Sequence, residues 1–123
     1  MISIHEAIEI HSILLERFGG LTGIRDRALL ESALSRPFQT FDGEELYPTT
    51  AEKAAAILES IVTNHPFIDG NKRTGYVLSR LMLMEADMDF CVDQEEKYQF
   101  VISISKGELG IEEITNWITK HSG

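Results

Sequence analysis

Between Asn71 and Ala86 the apolar residues Val77, Leu78, Leu81, Met82, Leu83 and Met84 cover most of the circumference of a helix. A helix that is apolar nearly all round lacks a solvent face and lies buried among others. This stretch therefore predicts a helical bundle built around a buried central helix. Polar sequence on either side must then supply helices with one apolar stripe each.

Such helices can be placed from their start and stop signals. Ser3-x-x-Glu6 reads as a capping box, in which each side chain satisfies a free backbone donor of the other residue, and apolar residues follow at helical spacing through Phe18. Gly19-Gly20 stop that helix. A shorter helix begins near Asp26, carries Leu29, Leu30, Ala33 and Leu34 inward, and ends at Pro37, which disfavours helix at the residue before it. Thr49-x-x-Glu52 opens another, with Ala54, Ala55, Ile57, Leu58, Ile61 and Val62 facing the core and Pro66 closing it. Asp93-x-x-Glu96 starts a further helix leading through Tyr98, Phe100, Val101, Ile102 and Ile104 to a stop at Gly107. Ile111 to Lys120 forms the last, with Ile114, Trp117 and Ile118 inward. Pro37 to Pro48 has no helical period, yet holds Phe38, Phe41, Leu46 and Tyr47 in a Gly- and Pro-punctuated segment, which predicts an ordered flap or hairpin. No alternating run is long enough for a larger sheet. The expected fold is all-α, a compact bundle with at most one short β-hairpin near residues 38 to 47, in a single domain over 1–123.

Composition narrows the function classes. A chain of 123 residues, 43% hydrophobic and 25% charged, is that of a globular protein with a packed core. A net charge of -9 argues against gripping nucleic acid, whose affinity comes mainly from Lys and Arg. No apolar run reaches the ~20 residues that span a bilayer, and the start of the chain lacks a secretory pattern, so no membrane and a cytoplasmic location are expected. The single cysteine, Cys91, fits a reducing compartment and, between Phe90 and Val92, reads as a small buried apolar residue. His5, His11 and His121 lack partners at ligand spacing and read as surface residues. Acidic residues crowd the C-terminal third, nine against three lysines from Glu85 onward. From His65 to Arg80 the sign reverses, with Lys72, Arg73 and Arg80 against Asp69 alone. That patch suits a small anion better than a polynucleotide.

The reversal coincides with the turn between the two most apolar helices, His65-Pro66-Phe67-Ile68-Asp69-Gly70-Asn71-Lys72-Arg73. The free N–H groups and dipole of a helix start form an anion site, and a glycine such as Gly70 lets a phosphate approach the backbone. Asp69 offers a hard oxygen of the kind that, with nucleotide phosphates, holds Mg²⁺. His65 has the general-base role open to it, because an imidazole can be neutral at cell pH and accept a hydroxyl proton. Each feature also has a plain structural reading: a helix terminator, a simple turn, solvated charges. Two cations in the first turn of a helix oppose its dipole unless an anion lies there, which favours the functional reading. Gly70-Asn71-Lys72-Arg73-Thr74 is not a P-loop, since it lacks the upstream glycine and follows a helix.

The nine residues from His65 to Arg73 resemble the Fic signature, His-x-Phe-x-(Asp/Glu)-Gly-Asn-x-Arg-x-x-Arg. Resemblance extends upstream through Gly23-Ile24-Arg25-Asp26 with Leu29-Leu30-Glu31-Ser32-Ala33-Leu34, and through Thr40-Phe41-Asp42-Gly43 with Leu46-Tyr47-Pro48-Thr49, covering most of residues 20 to 85. The chain is thus identified as resembling the Fic/Doc family, closest to its Doc (death-on-curing) branch. The resemblance implies that His65 deprotonates a target hydroxyl and that Asp69 helps hold Mg²⁺. It implies that Phe67 anchors the loop, Gly70 and Asn71 form an anion cradle, and Lys72 and Arg73 pair with phosphates. The flap would orient the target protein, with Phe41, Gly43, Leu46 and Tyr47 as its docking strip.

Two positions depart from the AMP-transferring Fic pattern: Lys72 stands in place of glycine, and Tyr76 in place of the second arginine. Both departures look like the Doc branch, whose members are implied to transfer the γ-phosphate of ATP to a threonine of elongation factor Tu. Gly70 keeps the typical Fic residue, which leaves AMP transfer to a protein hydroxyl as the alternative. A third reading is a non-catalytic protein-binding module. The inhibitory helix of Fic enzymes, (Ser/Thr)-x-x-x-Glu-(Gly/Asn), is approached only by Thr40-x-x-x-Glu44-Glu45, so inhibition in cis is not expected. A separate Phd-like antitoxin is implied instead, inserting a disordered segment that folds on binding.

Overall fold

A computed structural model describes all 123 residues. The helices are α1 (Ile4–Phe18), α2 (Arg27–Ser35), α3 (Thr50–Asn64), α4 (Asn71–Glu85), α5 (Gln94–Ser105) and α6 (Ile111–Lys120). A 3₁₀ turn at Arg36–Phe38 leads from α2 to a hairpin of β1 (Thr40–Phe41) and β2 (Glu44–Glu45), antiparallel, with Thr40 opposite Glu45 and Phe41 opposite Glu44. The Asp42-Gly43 turn has positive φ at both residues, as a tight two-residue hairpin turn requires. The all-α expectation with one small hairpin holds. No helix is long and apolar enough to cross a membrane.

The start signals act as their chemistry dictates. The Ser3 hydroxyl accepts the Glu6 N–H while Glu6 accepts the Ser3 N–H. Thr49, Asp26 and Asp93 cap the starts of α3, α2 and α5 with side-chain oxygens. At α6, Gly110 has no side chain to give, and Glu113 reaches back to its N–H.

The helix at the centre of the bundle is not the one the apolar count selects. That helix is α3, which packs against α2, α4, α5, α6 and the 3₁₀ turn and buries Ala54, Ala55, Ala56, Leu58, Ile61 and Val62 completely. Small residues decide this. Three consecutive alanines let neighbours approach from several sides, and Gly75 of α4 sits so close to α3 that a Cβ there would lie 3.0 Å from Val62 Cγ2. By contrast α4 keeps a wet face: Lys72, Arg73, Arg80 and Glu85 are exposed, and Met84 remains 48% exposed. Counting apolar residues on α4 overlooked the charges interleaved with them.

Three single-residue expectations also change. His11 is buried at 4% exposure, and His121 is half-buried, stacked on Trp117 with Nδ1 against the Trp117 carbonyl. Cys91 is exposed, because its segment runs along the surface and pairs with the end of the chain through Cys91 N–H to His121 O and paired bonds between Asp89 and Gly123. An aromatic series of Tyr76, Phe90, Trp117 and Phe100 then seals α4 against α5 and α6.

Candidate active site

α3 ends where His65 takes a left-handed conformation, φ 51° and ψ 60°, with its N–H on the Ile61 carbonyl. Glycine or asparagine adopts this geometry more readily, so a histidine here is held at a conformational cost. The Arg25 guanidinium spans the last carbonyls of the helix, 2.6 Å from both Asn64 O and His65 O. A cation at the negative end of a helix is electrostatically favoured. The His65 side chain is exposed and makes no hydrogen bond within the protein.

Beyond it the loop is fastened from three directions. From the α1–α2 connection, the N–H groups of Arg25 and Asp26 both reach the Pro66 carbonyl, and Gly23 O accepts the Ile68 N–H. From α4, the buried Asn71 amide closes on Phe67, taking its N–H at 3.0 Å and giving to its carbonyl at 2.9 Å. From α1, His11 stacks on the buried Phe67 ring at 3.8 Å and bonds the Asp69 carbonyl. Asp69 itself accepts the Leu21 N–H at one carboxylate oxygen and the Gly70 N–H at the other. These two N–H donors, Leu21 foremost, hold its carboxyl below the usual carboxylate range, with His11 and Lys72 adding their charge. Gly70 has φ 76°, and a Cβ there would press 3.3 Å from Leu15 Cδ2, so both its conformation and its surroundings call for glycine.

α4 starts without a side-chain cap. The N–H groups of Asn71, Lys72 and Arg73 have no acceptor, three adjacent donors at the positive end of a helix. Lys72 is exposed and forms no ion pair. Arg73 lies 4.1 Å over the exposed ring of Phe18 at the end of α1. Tyr76, one turn on, is half-buried against Phe90, and burial pushes its phenol up to about 12. It brings no positive charge to this position.

Six predicted residues, His65, Asp69, Gly70, Asn71, Lys72 and Arg73, therefore share one helix–loop–helix. The Asn71 side chain is engaged within the loop, which leaves its backbone N–H as the group open to a ligand. The flap stands apart, and no hydrogen bond joins it to this loop. Its outer surface is open, with Phe41 beside the turn 73% and Leu46 nearer the base 48% exposed. Tyr47 belongs to its base, the hydroxyl bonded to Arg36, whose guanidinium also meets Glu59, Ser60 and the Ala56 carbonyl on α3. Lys53 adds a bond to Tyr47 O and an ion pair with Glu45. Thr40 to Glu45 forms the hairpin itself, so the nearest approach to an inhibitory helix is not helical. No group of three His, Cys, Asp or Glu side chains is placed to hold a metal, so Asp69 is a lone carboxylate. Sequence reasoning assigned no role to Arg25, Phe18 or His11. For His11 a signal existed: it sits in the four-residue spacing of Ala7 and Leu15, a polar residue in an apolar stripe.

A family model described as Fic/DOC family matches residues 1–83, from ahead of α1 to within α4. The chain belongs to the Fic/Doc family. Among Fic/Doc proteins it is 41% identical over 83 residues to Toxin Doc of Mycolicibacterium smegmatis, an alignment covering 64% of this chain and 64% of that one. The match thus spans somewhat less than two thirds of the mycobacterial protein. It is also 26% identical over 122 residues to Protein kinase doc of Escherichia phage P1, covering 99% of this chain and 95% of the relative. The second alignment takes in α5 and α6, which the Fic/Doc model match does not reach.

Proposed function

We propose that the protein is a Doc-like toxin that transfers the γ-phosphate of ATP to a hydroxyl of a target protein. Elongation factor Tu is the target the Doc branch implies, and arrested translation the consequence. The observation that carries the reading is the pairing of an exposed imidazole at the end of α3 with three unpaired N–H groups and an unpaired Lys72 at the start of α4, across a fastened loop. The relatives named Toxin Doc and Protein kinase doc support it.

In this mechanism the free N–H groups of Asn71, Lys72 and Arg73 bind phosphate oxygens, and Lys72 and Arg73 neutralise their charge. Asp69, together with those phosphates, would hold Mg²⁺, which neutralises charge on the transferring group. Each Asp69 oxygen accepts a single N–H, which leaves lone pairs for an ion. His65 takes the proton of the attacking hydroxyl as its oxygen bonds to the γ-phosphorus, the bridging P–O bond breaks, and ADP leaves. Phe41 and Leu46, exposed on the flap, present the target. A Phd-like antitoxin would restrain the toxin.

One residue favours a second reading, AMP transfer: Gly70, the typical residue of adenylyl-transferring Fic enzymes. The purified protein incubated with Mg²⁺, elongation factor Tu and ATP labelled at the α or the γ phosphate distinguishes the two. Label is expected to pass from the γ position. Passage from the α position would replace the kinase reading with AMP transfer. Transfer from neither, together with equal toxicity of the parent and a folded His65→Ala variant, would leave the non-catalytic binding module.

A further inference from the structure

α1 meets the active-site loop along one stripe: His11, Leu15 and Phe18 lie at helical spacing and touch, in turn, Asp69, Gly70 and Arg73. Two of these contacts are apolar or rim contacts. His11 differs from them. It is a polar side chain at 4% exposure in a stripe otherwise made of Ala7 and Leu15, and burying such a group unmatched is costly. Its hydrogen bond, Nε2 to Asp69 O at 2.8 Å, crosses 58 residues of sequence and ends on the loop. A carbonyl only accepts, so Nε2 carries the hydrogen and donates it.

The bonded carbonyl belongs to the Asp69–Gly70 peptide, a rigid plane whose other end is the Gly70 N–H. That N–H donates to the Asp69 carboxylate, which in turn accepts the Leu21 N–H. Rotating this one peptide would take the Gly70 N–H off the carboxylate, leave that carboxylate held by the Leu21 N–H alone, and disturb the residue that precedes the three free N–H groups of α4. The Phe67 ring, stacked parallel to His11 within 7°, prevents the imidazole from turning away. We infer that His11 is a positioning residue: by locking the Asp69–Gly70 peptide plane it fixes the Asp69 carboxylate and the anion-binding N–H groups of α4 in one relation. It touches no reacting atom. The catalytic consequence rests on the nucleotide reading above, but the positional claim does not.

His11→Leu fills the same space without a donor, while His11→Gln keeps an N–H donor at similar reach. Amide hydrogen exchange is compared at Leu21 and Gly70 and at Ile57 to Ile61 of α3. In His11→Leu, protection at Leu21 and Gly70 is expected to fall about tenfold relative to α3, the scale of one hydrogen bond to a buried partner. His11→Gln should hold it within about threefold. Equal losses at the loop and in α3, or a glutamine variant no better than the leucine one, would overturn the assignment.

If His11→Leu does not fold, the parent protein decides by NMR. Hydrogen on Nε2 with a coupling across the bond to the Asp69 carbonyl carbon is required, and an Nδ1–H tautomer defeats the proposal. With γ-labelled ATP and elongation factor Tu, the positioning role lowers kcat about tenfold in His11→Leu with little change in KM for the protein target, and His11→Gln restores it. Calorimetry with Mg·ATP separates the two claims. Absence of binding to parent and variants alike counts against the nucleotide reading, while the exchange comparison still judges His11.

Discussion

The loop from His65 to Arg73 and the hairpin from Thr40 to Glu45 are both short connections between helices, yet they are held in opposite ways. The loop is fastened along its length, by His11 from α1, by Gly23 to Asp26 from the α1–α2 connection and by Asn71 from α4. The hairpin is fastened at its base alone, by Arg36 and Lys53, and its tip stands in solvent. On the proposed function the difference is one of task. Transfer chemistry requires groups fixed before the substrate arrives, whereas a surface that meets a protein target gains from adapting to it. Breaking the loop should therefore abolish activity or stability, and altering the hairpin tip should change only recognition.

The largest effect expected is from His65→Ala. Its side chain is exposed and makes no hydrogen bond within the fold, so the melting temperature should change by only about a degree while γ-phosphate transfer falls roughly 10²- to 10⁴-fold, the usual contribution of a general base. Next comes Asn71→Ala, which leaves the N–H and carbonyl of buried Phe67 without partners. At about 1–3 kcal/mol for each stranded group, urea unfolding should show a loss of roughly 2–6 kcal/mol. Gly70→Ala follows. Its left-handed conformation and the tight Leu15 contact should lower stability by about 1–2 kcal/mol, read from the denaturation midpoint.

At the hairpin the effects shrink. Tyr47→Phe removes the Arg36 bond and should cost about 0.5–1.5 kcal/mol in local opening, measured by exchange at Leu46, whose N–H bonds Gln39 O. Phe41→Ala should leave stability within about 0.5 kcal/mol while raising KM for the protein target. Equal destabilisation by Phe41→Ala and Asn71→Ala would erase the distinction between the two regions. The smallest effect is pH-dependent. The carboxyl of Asp69 is lowered in the folded state, so its bonds to Leu21 and Gly70 add stability above the ordinary aspartate range, and that stability disappears as pH falls through the lowered value. An NMR titration of the Leu21 and Gly70 amides should show both midpoints below those of an unconstrained aspartate.

Elements with local causes could be read from the chain. Ser3, Asp26, Thr49 and Asp93 mark helix starts because their side chains cap backbone groups three residues on, and the glycine and prolines between Pro37 and Pro48 mark a non-helical flap because they interrupt any helical period. The grouping of His65 with Asp69 to Arg73 was legible for the same reason: the whole cluster fits within nine residues. What escaped were matters of distant packing. The choice of α3 over α4 as the hub depends on Ala54 to Ala56 and Gly75 meeting across the bundle, where small size counts for more than hydrophobicity. His11 and Arg25 act on residues about 40 to 60 positions away, a relation no local pattern records. Cys91 was misjudged because the surface course of its segment is set by pairing with residues 121 to 123.

The alanine-rich helix α3 also carries both regions on one shaft. The hairpin base is pinned to it from Lys53 to Ser60, and His65 caps its end. At about 1.5 Å and 100° per residue, phase along such a shaft is a geometric variable. One residue added between Ser60 and Ile61 would turn everything after it by about a quarter-turn relative to the hairpin, carrying Ile61 and Val62 off their core positions and His65 out of register with its loop. On the proposed function α3 would thus work as a gauge, its length and pitch setting the span between the hairpin and the imidazole.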